Sequence, residues 1–381
     1  MRGVRDEPAL LGCAGNSDNW CIRTGSSYSL SLHRKVSDLE VIDPVDLAAR
    51  LMELDSTSGR EGAVIDWMHS FLAGRDWSVQ RIPVSPGRDD VFAMMNGSPA
   101  LPRVTLSTHL DTVPPFIPPR LEVDVLRGRG SCDAKGIAAA MICAAERLRE
   151  RKIPVGLLFV VGEETAHDGA HAANEFAQAH FSSAVDSRIL INGEPTESTL
   201  AVGTKGAMRV FIRVSGQAAH SAYPHLGRSA TRELVHLLAE LDDLAMPKDP
   251  LLGETTINIG FLSGGVADNV MAPEAEARLM IRLVTSPDDV WRSMERWIAG
   301  RAEIEQGPTV PPVKLGVFPG FATSVAAFAT DIPELGNWGR PHLFGPGSIH
   351  VAHRDDEHVR IEELRSAVDA YERLALAGLQ G

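Results

Sequence analysis

The sequence is poor in several features that would assign it quickly. Four cysteines in 381 residues cannot form a disulfide framework; Cys13 and Cys21 lie near the N-terminus, and Cys132 and Cys143 in the body. A reducing, cytoplasmic setting is the expectation. No Lys/Arg-rich block occurs and the formal charge is -13, so the electrostatic footprint of a nucleic-acid binder is missing. Apolar runs such as "VGLLFVVG" (155–162) are strand-length, far short of the roughly 20 residues that span a bilayer. No membrane partner is expected, and no internal repeat is evident.

What is present is the composition of a globular chain, 44% hydrophobic and long enough for two domains. Residues 1–42 keep neither helical nor strand periodicity, and charges interrupt any signal-peptide core. They read as an extension outside the fold. From "DPVDLAARLMELDSTSG" onward, helical patterns alternate with apolar strands: 104–107, a helix over 135–150, then strands at 155–161 and 188–191. Alternation of this kind predicts crossover units, and hence an α/β fold whose mostly parallel twisted sheet is flanked by helices.

After "GTKG" the pattern changes to period-two strands and amphipathic helices in the order β-α-β-β-α. This predicts an inserted, smaller α+β domain over 205–306, with a catalytic domain divided between 43–204 and 307–381. The last helix is expected from Ile361 to about Leu379.

In doubly wound sheets, ligands gather where strands hand over to loops at their carboxyl ends. Four such ends carry acids or imidazole: "STHLD" with His109 and Asp111, "GRGSCDAKG" with Asp133, "VVGEET" with Glu163 and Glu164, and "ILINGEPT" with Glu194. Singly, each is most simply a cap, a turn or a structural His. Together they would repel one another at one sheet edge unless a cation neutralised them. Imidazole and carboxylate without a thiolate array suit zinc, or cobalt or manganese in its place. The carboxylates are too many for one open zinc site, but two metals about 3.5–4 Å apart could share one of them.

The ordered set "STHLDTVPP", "GRGSCDAKG", "GEET", "NGEPT" and "GPGSIHVAHRDDEHV" resembles the co-catalytic metallopeptidase and deacylase family. That family includes acetylornithine deacetylase, succinyl-diaminopimelate desuccinylase, aminoacylase and carboxypeptidase G. The resemblance runs from about Asp43 to the C-terminus and implies a zinc-peptidase-like catalytic domain with a lid and dimerisation domain.

Carried over, the resemblance implies that His109 and Glu194 bind one metal, Glu164 and His353 the other, and that Asp133 bridges them. His350 is the alternative to His353, and His358 is a surface residue. Asp111 would orient the His109 ring, and Glu163 would be the general base toward a water held between the metals. In "GQAAHSAYPHLGRSA", His220 would reach across a homodimer interface to stabilise the oxyanion in the partner's site. Asn269 and Arg282 would bind substrate, Arg282 through its α-carboxylate, although Met280 stands where the family commonly has Asp. Thr330, in "FATDIPEL", would contact substrate or cap an ordinary turn. Cys132 reads as a small packing residue.

The implied activity is hydrolysis of an N-acyl amino acid, most like acetylornithine deacetylase in "FGPGSI" and "GEPT". Desuccinylase, dipeptidase and carboxypeptidase activities are the alternatives. A metal- or peptide-binding protein without turnover is the rival of another class.

Overall fold

The computed structural model describes residues 42–98, 102–180 and 185–380. The N-terminal extension expected over 1–42 lies outside them, apart from Ile42. The main sheet has nine strands, and at its centre Gly156–Val160, Val104–His109, Ile189–Asn192 and Arg340–Leu343 run parallel, side by side in that order. The antiparallel hairpin Trp77–Ser85 and Arg88–Met95 closes one edge.

These central strands read as unbroken apolar runs because both faces are covered. Leu157, Phe159 and Val161 point into a core shared with helices Pro44–Met52, Lys135–Glu150 and Ile361–Gln380. Leu158 and Val160 point the other way, onto helix Asp168–His180 and the short helix around Leu335 and Trp338. Local signals start the first helix: the Asp43 side chain accepts the Val45 amide at 2.8 Å and Pro44 occupies the first turn.

A second, four-stranded antiparallel sheet is ordered Thr256–Gly264, Glu274–Leu283, Gly206–Ser215, Glu303–Val310. It has its own core. Met208, Val210, Ile212 and Val214 alternate inward with Ala277, Leu279 and Ile281 against helices Ala230–Ala239 and Pro287–Ile298. The first of these helices stops at Ala239, with a single tight turn following at Leu241–Asp243.

The seam expected at 306/307 falls inside the last strand, Glu303–Val310. Gly307 and Pro308 read as a loop, yet they sit at a register shift on an edge strand, where missing ladder bonds cost little. Among the described residues, no helix is long and apolar enough to cross a membrane.

Candidate active site

The residues singled out at the strand ends converge at the carboxyl edge of the parallel strands. His109, the last residue of its strand, is 1% exposed. Its Nε2 lies 3.0 Å from Asp133 Oδ1 and 3.9 Å from Glu194 Oε1. Opposite, His353 Nε2 lies 3.3 Å from Asp133 Oδ2 and 3.0 Å from Glu164 Oε1. The two oxygens of Asp133 thus face two imidazoles, each flanked by a further carboxylate. Ligand atoms of His109, Asp133 and Glu164 all fall within 4.8 Å of one another.

Asp111 stands beside His109 and also holds a neighbouring turn. The closer contact of His109 Nδ1 is the backbone carbonyl of Asp111 at 2.9 Å, with carboxylate Oδ1 at 3.5 Å. The carboxylate also accepts the amides of Glu163 at 3.0 Å and Glu164 at 3.2 Å, and the Ser58 hydroxyl at 2.8 Å. It holds the Glu163–Glu164 turn as well as standing beside His109.

Burial opposes ionisation throughout this cluster, and the neighbours decide each outcome. Glu163 is pushed well above the usual carboxylate range, first by burial and then by Glu164 against the opposing pull of His109. Burial and neighbouring acids likewise raise Glu164 and Glu194. Asp133 is lowered despite its burial because His109 and His353 both bond to it. His353 rises to about 10 through its bonds to Asp133 and Glu164. Burial alone would lower His109, but Asp111 and Asp133 outweigh it and raise the imidazole well above its ordinary value.

Three glutamates held against their preferred charge, together with a buried Glu194 oxygen lacking a hydrogen-bond partner among the described residues, fit a site built for cations. His350 is not part of the cluster: it is exposed and 4.0 Å from Glu197. His358 begins a short strand, its Nδ1 2.8 Å from the Asp356 carbonyl oxygen.

Beyond the strands of the smaller sheet, His220 and Asn269 lie on adjoining segments: His220 pairs with Val270 in an isolated bridge, and the Ser221 amide donates to the Asn269 carbonyl at 3.0 Å. Both side chains are exposed. Arg282 is half-buried, with no hydrogen-bond or ion-pair partner among the described residues, and burial lowers its pKa. No hydrogen bond or ion pair among the described residues joins these three to the His109–Asp133 cluster. Thr330 is buried, and its hydroxyl accepts the Ile332 amide at 3.3 Å, a local turn bond. Cys132 is buried, which raises its thiol pKa well above the ordinary value.

Sequence reasoning passed over two acids in this region. Asp331 is buried and accepts a hydrogen bond from Asn192 Nδ2 at 3.1 Å. Glu357 is buried behind Asp133, four positions after His353, inside the run "RDDEH" that reads as solvated surface.

The profile of the family described as Peptidase family M20/M25/M40 matches residues 105–377. A peptidase M20 domain-containing protein of Schizosaccharomyces pombe is 39% identical over 346 residues, covering 88% of this chain and 85% of its own. A protein of Aspergillus terreus named "Probable carboxypeptidase" is 37% identical over 369 residues, covering 86% and 85%. Among solved structures, a tripeptidase from Staphylococcus aureus superposes with a TM-score of 0.72 at 19% identity, over 89% of this chain and 98% of that one. A Bacillus subtilis protein described as a dinuclear metal binding peptidase of the M20 family gives 0.64 at 17% identity, over 88% and 97%. The fold and these matches define a hydrolase of peptide or amide bonds. The chain belongs to peptidase family M20/M25/M40.

Proposed function

We propose that the protein is a two-metal hydrolase that releases an amino acid from an N-acyl amino acid or short peptide. The observation that carries this reading is Asp133, whose two carboxylate oxygens face His109 at 3.0 Å and His353 at 3.3 Å. His109 with Glu194, and His353 with Glu164, are the donor pairs for two divalent ions. Zinc fits this donor set, and cobalt or manganese could replace it. When bound, the ions would lower the pKa of a water molecule and polarise the scissile carbonyl.

Glu163 is the general base: it accepts the proton from the attacking water and delivers it to the leaving amine. Arg282, without a partner among the described residues, offers its guanidinium to the substrate carboxylate, and Asn269 lies beside His220 to contact the same ligand. Thr330 completes the substrate contacts in this reading.

The smaller sheet serves as lid and dimerisation domain. Its edge strand Thr256–Gly264 exposes Ile259, Phe261 and Leu262, an apolar edge that a second copy would cover. In the resulting homodimer, His220 of one subunit stabilises the oxyanion in the other. The buried free thiols Cys132 and Cys143 are in keeping with a reducing, cytoplasmic location.

Relatives named as carboxypeptidases weigh toward substrates with a free C-terminal carboxylate. N-acetylornithine is the narrower alternative, favoured by the motifs "GEPT" and "FGPGSI". The test is a panel of N-acetyl amino acids, N-succinyl-diaminopimelate, dipeptides and N-blocked dipeptides, assayed with zinc- or cobalt-loaded protein and a chelated control. Metal-dependent release of the C-terminal amino acid is expected. Turnover that persists unchanged in the chelated protein would refute the two-metal reading.

A further inference from the structure

Glu357 is 1% exposed and belongs to no feature of the chemistry assigned above. Its Oε1 accepts three backbone amides of one loop: Gly130 at 3.0 Å, Cys132 at 3.2 Å and Asp133 at 3.3 Å. Its Oε2 accepts Arg129 Nη1 at 2.7 Å, and that nitrogen also donates to the Arg354 carbonyl at 3.1 Å. In return, the Gly128 amide donates to the Glu357 carbonyl at 3.0 Å. Just beyond, strand His358–Arg360 pairs with Val125–Arg127.

Loop 128–133 is therefore wrapped around a single side chain. Buried amides need acceptors, and here one carboxylate supplies them. Gly130, at φ +86°, makes the bend that lets the amides converge. The last of those amides belongs to Asp133, so the carboxylate that fixes the loop also fixes where Asp133 stands. At the other end of the same short segment is His353, held at φ +64° in a turn whose Glu357 amide donates to the Arg354 carbonyl at 3.3 Å.

We propose that Glu357 is a positioning residue that sets Asp133 and His353 against each other, so that one side chain holds both halves of the donor set in register. This rests on the two-metal reading. The competing account is an ordinary buried ion pair with Arg129. The bonds distinguish the two, because most of the carboxylate's contacts go to the loop amides and only one to the guanidinium.

Cobalt(II) titration of the metal-free full-length protein tests it, read by calorimetry and by the visible absorption of the bound ion. Glu357→Asp keeps the charge beside Arg129 but is one methylene too short to reach the loop. It should bind cobalt about 10–100-fold more weakly, with an altered visible spectrum and an unchanged far-UV circular dichroism spectrum. Wild-type affinity and spectrum in a variant that merely melts earlier would overturn the proposal and leave Glu357 as a fold contact. If Glu357→Asp does not fold, the double variant Glu357→Leu with Arg129→Met removes both charges and the acceptor for the loop amides together and is read in the same way. Wild-type protein that binds no cobalt would instead refute the two-metal reading, and the proposal with it.

Discussion

The Glu163 amide donates to Asp111 Oδ1 at 3.0 Å, and the next amide, that of Glu164, reaches Oδ2 of the same carboxylate at 3.2 Å. One acid at the end of strand Val104–His109 thus fixes the turn that follows strand Gly156–Val160, and with it the base and a neighbouring ligand candidate. Asp111→Asn presents an NH2 group to at least one of these donors. It should lower kcat by about 10–100-fold while KM changes little. Steady-state kinetics, with circular dichroism to check the fold, would settle this; a loss confined to KM would count against it.

Glu163→Gln removes the proton acceptor but keeps the shape. Turnover should fall by about a hundred- to ten-thousand-fold with metal content unchanged. Elemental analysis beside the rate measurement separates this from metal loss. Near-normal turnover would remove Glu163 as the base.

A His220→Ala protein and a Glu163→Gln protein, each nearly inactive, should regain activity when mixed under conditions of subunit exchange. Up to about a quarter of the sites would then be intact, as expected of a symmetric dimer in which His220 acts in trans. Demonstrated exchange without recovery would rule out that arrangement.

His342, outside the set of ligand candidates, offers a stability test. It is buried and stacked on Phe318 at 4.2 Å, and burial, with the Arg340 charge, lowers it to about 4. The unfolded chain binds this proton below about 6.5 and the folded chain only below about 4. The contribution is therefore fully present above pH 6.5 and is lost as pH falls toward 4, by ~3 kcal/mol in total. His342→Phe should flatten the decline of melting temperature between pH 7 and pH 4.5. Parallel curves for the two proteins would show that His342 is not responsible.

Much of this architecture was legible because strong signals coincide. Leu157 to Val161 alternate between two covered faces, so their apolar run could only be a buried strand, and Asp43-Pro44 opens a helix by its own chemistry. The cluster of His109, Asp133, Glu164, Glu194 and His353 could be anticipated because each sits where a strand ends or a distinctive motif stands. Three features could not be read in this way. Asp111 also turns its carboxylate to the amides of the Glu163–Glu164 turn, a pairing between segments some fifty residues apart that only the fold brings together. Glu357 looks like surface charge in a run of acids, and only the fold behind Asp133 makes it internal. Gly307-Pro308 interrupts a strand pattern locally but is tolerated where the strand is an edge.

Strand Arg340–Leu343 lies between Ile189–Asn192 and Leu200–Thr204, strands made some 140 residues earlier. During synthesis, the emerging chain must wait with a strand-wide gap in its main sheet, and with Asp133 and Glu164 still without His353. Long-range pairing of this kind is slow and leaves partly made chains prone to association. The candidate site therefore depends on late-made chain: a polypeptide interrupted before residue 340 can neither close this sheet nor bring His353 to Asp133 and Glu164.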